Sequence, residues 1–169
     1  MALRPAFVVN LPAAIAAIVI AITSLAAETA IAADFQTDAA QPLANLYSET
    51  SARQATDALR LLLTAFENGD SAKVEAGIEP TLVGLTALLK SIQDAHALQR
   101  EIRIHLQDTK VTVGSDTVLI YTDWEKRFLS VSKSVPGLAK GRVTFVFRRA
   151  VKQWKLVGMT GDNLFAGGI

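Results

Sequence analysis

Gly141-Arg142-Val143-Thr144-Phe145-Val146-Phe147-Arg148-Arg149 and, three residues further on, Gln153-Trp154-Lys155-Leu156-Val157 together decide the fold. β-Branched and aromatic residues dominate both runs, and Ala150-Val151-Lys152 is a short link. Arg142–Arg149 and Gln153–Met159 therefore read as a closing β-hairpin. Upstream, Val118–Phe128 is a second long run of this kind, set off by the turn residues Gly114-Ser115-Asp116. Before that turn, Ile102, Ile104 and Leu106 alternate with Arg103 and His105, the period of a half-buried strand. Val111 and Val113 continue this strand beyond a turn expected at Asp108-Thr109, and Ser132–Lys140, with Pro136-Gly137, reads as a loop.

The period changes near Arg100. Ala55, Ala58, Leu59, Leu62, Leu63 and Phe66 recur at helical spacing and give one apolar stripe. Ser51 with Gln54 has the pattern of a capping box, which places the helix start at Ser51. Asn68-Gly69 supplies its stop, since glycine takes the left-handed conformation without penalty. Asp70 or Ser71 opens a short second helix that ends before Pro80. A third is expected from about Leu82 to Leu98, with Leu85, Leu88, Leu89 and Ile92 facing inward. Helices followed by consecutive antiparallel strands make an α+β domain with the helices on one face of the sheet.

The chain ahead of this domain has a different character. Arg4 is the single charged side chain of Met1–Pro5, Ala6–Ala27 carries no charge, and Ala30-Ile31-Ala32 precedes Ala33-Asp34. A basic start, an apolar run and a small-residue site are the parts of a secretory signal, and the same run is long enough to stay as an uncleaved anchor. Residues 1–33 are therefore read as signal peptide or membrane anchor and 34–50 as a linker. The domain is placed at 51–160 and a flexible tail at 161–169, which either plugs the domain or docks elsewhere. Export to a periplasm is expected, with anchoring at an inner membrane as the alternative. Cysteine is absent, which excludes disulfides, thiolate metal sites and a cysteine nucleophile.

The order of pieces resembles the nuclear transport factor 2-like superfamily, a cystatin-like α+β cone in which a strongly curved antiparallel sheet wraps around helices. Its carriers are Ala65-Phe66-Glu67-Asn68-Gly69-Asp70 at the end of the first helix, Thr117-Val118-Leu119-Ile120-Tyr121-Thr122-Asp123-Trp124, and the closing hairpin. The resemblance spans about Ser51 to Met159. It implies the cone fold, and only loosely a function. The superfamily holds isomerases, dehydratases, small-ligand binders, transport factors and membrane-tethered subunits, and function must be argued from the site.

Its enzymes set a carboxylate or histidine against a tyrosine inside the cone. The nearest candidates are Asp123 as general base and Tyr121 as hydrogen-bond donor, two apart and so on one strand face. Glu125 and Arg127 share that face, which is the pattern of a solvated surface. His96 and His105 are the only histidines, and their settings give a partly exposed helical side chain and a polar outer face rather than a metal site. No metal or cofactor is expected. Trp124, Phe128, Phe145, Phe147 and Trp154 form an aromatic set across neighbouring strands, read as sheet core or as the lining of a site for a small apolar or lipid-like ligand.

Charge is unevenly placed although the chain totals only +1. Asp34–Gln99 holds nine acids and four bases; Arg100–Lys155 holds twelve bases and five acids. A basic outer sheet face of Arg103, Lys110, Lys126, Arg142, Arg148 and Lys155 is expected, suited to anionic lipid or an acidic partner. Nucleic acid is excluded as a partner by the export signal and the lack of stacking aromatics among these bases. The expected function is an exported, non-catalytic binding module that holds a small apolar ligand in the cone or pairs through its sheet as a homodimer. The alternatives are a proton-transfer enzyme using Asp123 and Tyr121, and a membrane-anchored structural subunit of an envelope assembly. Membrane contact is expected only if the N-terminus stays uncleaved or the basic face docks lipid.

Overall fold

The computed structural model describes residues 40–167. The expected signal or anchor segment, residues 1–33, lies outside them. Three helices, α1 (Ala40–Glu67), α2 (Ser71–Ala76) and α3 (Leu85–Leu98), precede four strands. These are β1 (Gln99–Val113), β2 (Thr117–Ser130), β3 (Pro136–Ala150) and β4 (Gln153–Gly161), paired antiparallel in the order β1-β2-β3-β4. The α+β architecture is as expected. Among the described residues no helix is long and apolar enough to cross a membrane.

Helix α1 corrects the reading of its own start. It begins at Ala40, inside the stretch read as a linker, and Ser51 is a buried mid-helix residue. The missing N–H of Pro42 falls in the first turn, where backbone N–H groups have no helical partner anyway. Ser51 lies four residues before Ala55 and eight before Leu59, so it extends the buried stripe rather than capping it. Gln54 Oε1 instead accepts a hydrogen bond from Trp154 Nε1 at 3.1 Å, tying α1 to β4. The stop is as expected. Gly69 has φ +72°, Gly69 N–H donates to Phe66 O at 3.0 Å, and Asp70 N–H donates to Ala65 O at 2.9 Å, the paired bonds of a Schellman ending. Asp70 then caps α2 by accepting from Lys73 N–H at 3.1 Å.

In the sheet, side chains alternate strictly along β2. Val118, Ile120, Thr122, Trp124, Lys126, Phe128 and Ser130 are buried beneath the helices, and the odd-numbered residues point outward. The register carries this pattern into β3, where Phe147, Phe145, Val143, Gly141, Ala139 and Gly137 face inward. Two of these glycines are notches for aromatic rings. A Cβ on Gly141 would stand 2.7 Å from Trp124 Cζ2, and one on Gly137 would overlap the Phe128 ring. Irregularities between Arg100 and Arg103, Gln107 and Lys110, and Val146 and Phe147 let the long strands bend. The turn expected at Asp108-Thr109 is one of these irregularities inside a continuous β1, with Asp108 at φ +48°. The expected loop at Ser132–Lys140 is shorter, because β3 already pairs from Pro136 onward.

The core joins Leu59, Leu62 and Phe66 of α1 and Ile92 of α3 to Ile120, Phe145, Phe147 and Leu156 of the sheet. It also includes Leu164 and Phe165, both fully buried. The described part of the expected flexible tail is therefore packed structure.

Candidate functional site

Asp123 and Tyr121 stand on the outer face of β2, opposite the helices. Asp123 Oδ1 is 3.2 Å from Arg142 Nε, and Tyr121 Oη donates to Asp123 Oδ1 at 3.4 Å. Glu125, next along the row, pairs with Arg127 at 2.7 Å and Lys140 at 2.9 Å, and those cations hold its carboxyl below the usual glutamate range. Proton transfer inside a cone needs a carboxylate in a dry interior. The pair expected for that chemistry is outside it, and the row is a surface of ion pairs.

The six residues of the expected basic face divide between the two sides of the sheet. Arg103, Lys110, Arg142, Arg148 and Lys155 occupy outer register positions, with Arg103 opposite Arg127 and Arg148 opposite Lys155. Lys126 is the exception and a correction. It is even-numbered like Trp124 and Phe128, so the period of a strand sends it inward. The acids Asp123 and Glu125 also interrupt the outer patch.

Lys126 is the residue that sequence reasoning missed. It is 1 % exposed, lies opposite Ile104 on one side and Ala139 on the other, and its Nζ is 5.7 Å from the centre of the Phe128 ring. Its ammonium donates to the backbone carbonyl of Ala166 at 2.5 Å. No ion pair among the described residues involves it. Burial pulls its pKa down from 10.5 to about 8, because a charged amine is poorly solvated there. Nearby on the same interior surface are Trp124, two residues back, and Gln99, whose register partner is Ser130. Gln99 Nε2 donates to Gly167 O at 3.2 Å.

The five aromatics of the expected set are all buried. Phe145 and Phe147 are central core and Trp154 lies under α1, whereas Trp124 and Phe128 flank Lys126. His96 is half-buried, with Nε2 2.8 Å from Phe66 O and its ring 4.9 Å from that of Phe66. His105 is exposed on the outer face. Among the described residues no group of three or more His, Asp or Glu gathers as a metal site. A separate open groove of about 590 Å³ runs between α1, α2 and the β3–β4 turn, floored by Ala58, Leu61, Leu62 and Trp154.

Helices laid on a curved four-stranded antiparallel sheet, with the interior closed beside Lys126, define a nuclear transport factor 2-like cone. Solved structures agree. A nuclear transport factor 2-like superfamily protein from Salmonella enterica superposes with a TM-score of 0.62 at 12% identity, covering 68% of this chain and 91% of that one. A protein assigned as a dehydratase of the same family from Streptomyces avermitilis gives 0.55 at 22% identity, covering 67% and 96%. A ketosteroid isomerase-like protein from Erwinia carotovora atroseptica gives 0.54 at 16% identity, covering 65% and 93%. At these identities the likeness is one of fold. The family model of the SnoaL-like domain matches residues 43–161, and the chain belongs to that family. Comparison with curated proteins gives no match.

Proposed function

We propose that this chain is an exported binding module whose ligand chamber is the interior of the cone beside Lys126. The observation that carries this reading is a polar cluster, Gln99, Trp124 and Lys126, sealed into a mostly apolar interior and met by the closing segment Asn163–Gly167. A cluster of that kind costs stability, so a packed core with no binding role has little reason to hold it. An apolar chamber with a few placed polar groups is the usual form of a small-molecule site. Trp124 and Phe128 supply apolar wall on either side of Lys126.

The outer face, with its exposed Leu119 and Leu138 among ion pairs, suits pairing with a second copy. The fold is shared with a protein assigned as a dehydratase and with one described as ketosteroid isomerase-like. An enzymatic version of this site would depend on Lys126 rather than on Asp123 and Tyr121, because the amine is the fully buried ionisable group among the described residues. Native mass spectrometry of the chain recovered from its own cells tests the proposal. A retained small molecule, on a chain beginning near Ala33, is the expected result. A ligand-free protein that also fails to take up apolar compounds overturns the binding reading, and an intact N-terminus moves the weight to an anchored subunit.

A further inference from the structure

The polar groups beside Lys126 are incompletely matched. An ammonium has three N–H donors, and the Ala166 carbonyl takes one. Gln99 is 2 % exposed and Trp124 6 %, yet Gln99 Oε1 and Trp124 Nε1 are buried with no partner. Buried polar atoms are paired in the great majority of native interiors, so orphans of this kind call for an explanation. A buried positive charge is costly when only a backbone carbonyl and the face of the Phe128 ring, both partial charges, stand against it.

The chemistry that fits is narrow. A carboxylate has two oxygens, a full negative charge and no donor of its own, so it can accept from an ammonium and from an indole N–H together. A phosphate carries more charge and more acceptors than one interior cation and one N–H can match; the other basic side chains of the sheet lie on its outer face, except Arg149, which is exposed at the far end of β3 beside Trp154. The closing segment itself describes the apolar body. The Phe165 ring is fully buried and meets the Phe66 ring edge-on at 5.0 Å, and the next residue's carbonyl is the one bonded to Lys126. A phenyl ring joined to a carboxylate by a chain of that covalent length is 6-phenylhexanoate. The segment follows Gly161, whose φ of +101° makes it the point where the chain turns away from β4.

We infer that the interior beside Lys126 binds a small apolar carboxylic acid, its carboxylate received by Lys126 and Trp124. Asn163–Gly167 is a built-in competitor that occupies the same place through its backbone carbonyls. This rests on the interior being the ligand chamber, and adds the class of ligand and the element that gates it.

The test uses the full chain, with 6-phenylhexanoate and the neutral 6-phenylhexan-1-ol as probes in calorimetric titrations. The acid should bind at least tenfold more tightly than the alcohol. Lys126→Met should remove that preference, and Lys126→Arg should keep part of it. Amide exchange at residues 163–167 should speed up when the acid is bound. Phe165→Ala, which weakens the competitor, should raise acid affinity severalfold. Equal affinities for acid and alcohol overturn the carboxylate inference and leave the chamber standing. Acid binding with unchanged exchange at 163–167 overturns the competitor. Failure of both probes to bind the parent chain and Phe165→Ala overturns the chamber as well.

Discussion

Lys126 should make the stability of this protein rise with pH across a range where most proteins gain little. Its pKa falls from 10.5 in the unfolded chain to about 8 in the fold. Between those values the unfolded chain holds a proton that the folded chain has released, so stability climbs as pH rises. Below pH 8 the cost of the buried charge is fully present, and above 10.5 it is gone. Linkage puts that cost at about 3 kcal/mol at pH 7 and about 1 kcal/mol at pH 10, a difference of about 2 kcal/mol. Tyrosines and surface lysines also titrate near pH 10, so the comparison must be made against Lys126→Met, in which their contributions cancel. Urea unfolding of both chains at pH 7 and pH 10 gives the four free energies required. The variant should be the more stable relative to parent at pH 7, and that advantage should shrink by about 2 kcal/mol at pH 10. A relative stability that stays constant within about 0.5 kcal/mol would show that Lys126 titrates as a solvated amine. The interior site would then fall with it.

Other consequences are as direct. Phe165→Ala should lower stability by about 3 to 5 kcal/mol in the same unfolding experiment, because a fully buried ring is lost from contact with Phe66; a change under about 1 kcal/mol would mean the closing segment is not packed as described. Gly137→Ala should cost about 1 to 3 kcal/mol, since its new methyl group meets the Phe128 ring. Trp154→Phe removes the donor to Gln54 Oε1 and should cost about 1 kcal/mol, with Gln54→Ala adding little more if the two act as one bond. Asp123→Asn with Tyr121→Phe should change stability by less than about 1 kcal/mol and leave ligand uptake unaltered, because both side chains belong to the outer face.

Much of this molecule was legible before its structure. The α stripe of Ala55, Leu59, Leu62 and Phe66, the Gly69 stop and the four strands follow from period and turn chemistry, which are local. The start of α1 was not, because the Ser51–Gln54 pattern is equally compatible with a helix interior, and only burial against the sheet distinguishes the two. The unbroken course of β1 through Asp108 was hidden for a similar reason. A strand irregularity and a turn use the same residues, and pairing with β2 decides between them. Lys126 is the instructive miss. Trp124 and Phe128 were assigned to the interior and Lys126 to the surface, though the three are spaced two apart and must share a face. Residue type overrode period there. The closing segment was illegible on other grounds, since its burial depends on long-range contacts with α1 and β2.

The paired notches at Gly137 and Gly141 reach beyond packing. Each accepts one ring of β2, so together they act as a two-point key that admits β3 in a single alignment. Misalignment by one residue would turn every side chain of the slipped strand over. For β2 that would bring Asp123 and Glu125 into the interior and put Lys126 outside. The same chain would then enclose acids where it now encloses a base, and the sign of any charge it could receive would be reversed. Two residues without side chains thus set the polarity of the chamber, and a variant that loosens them would be expected to change what is bound before it changes whether the protein folds.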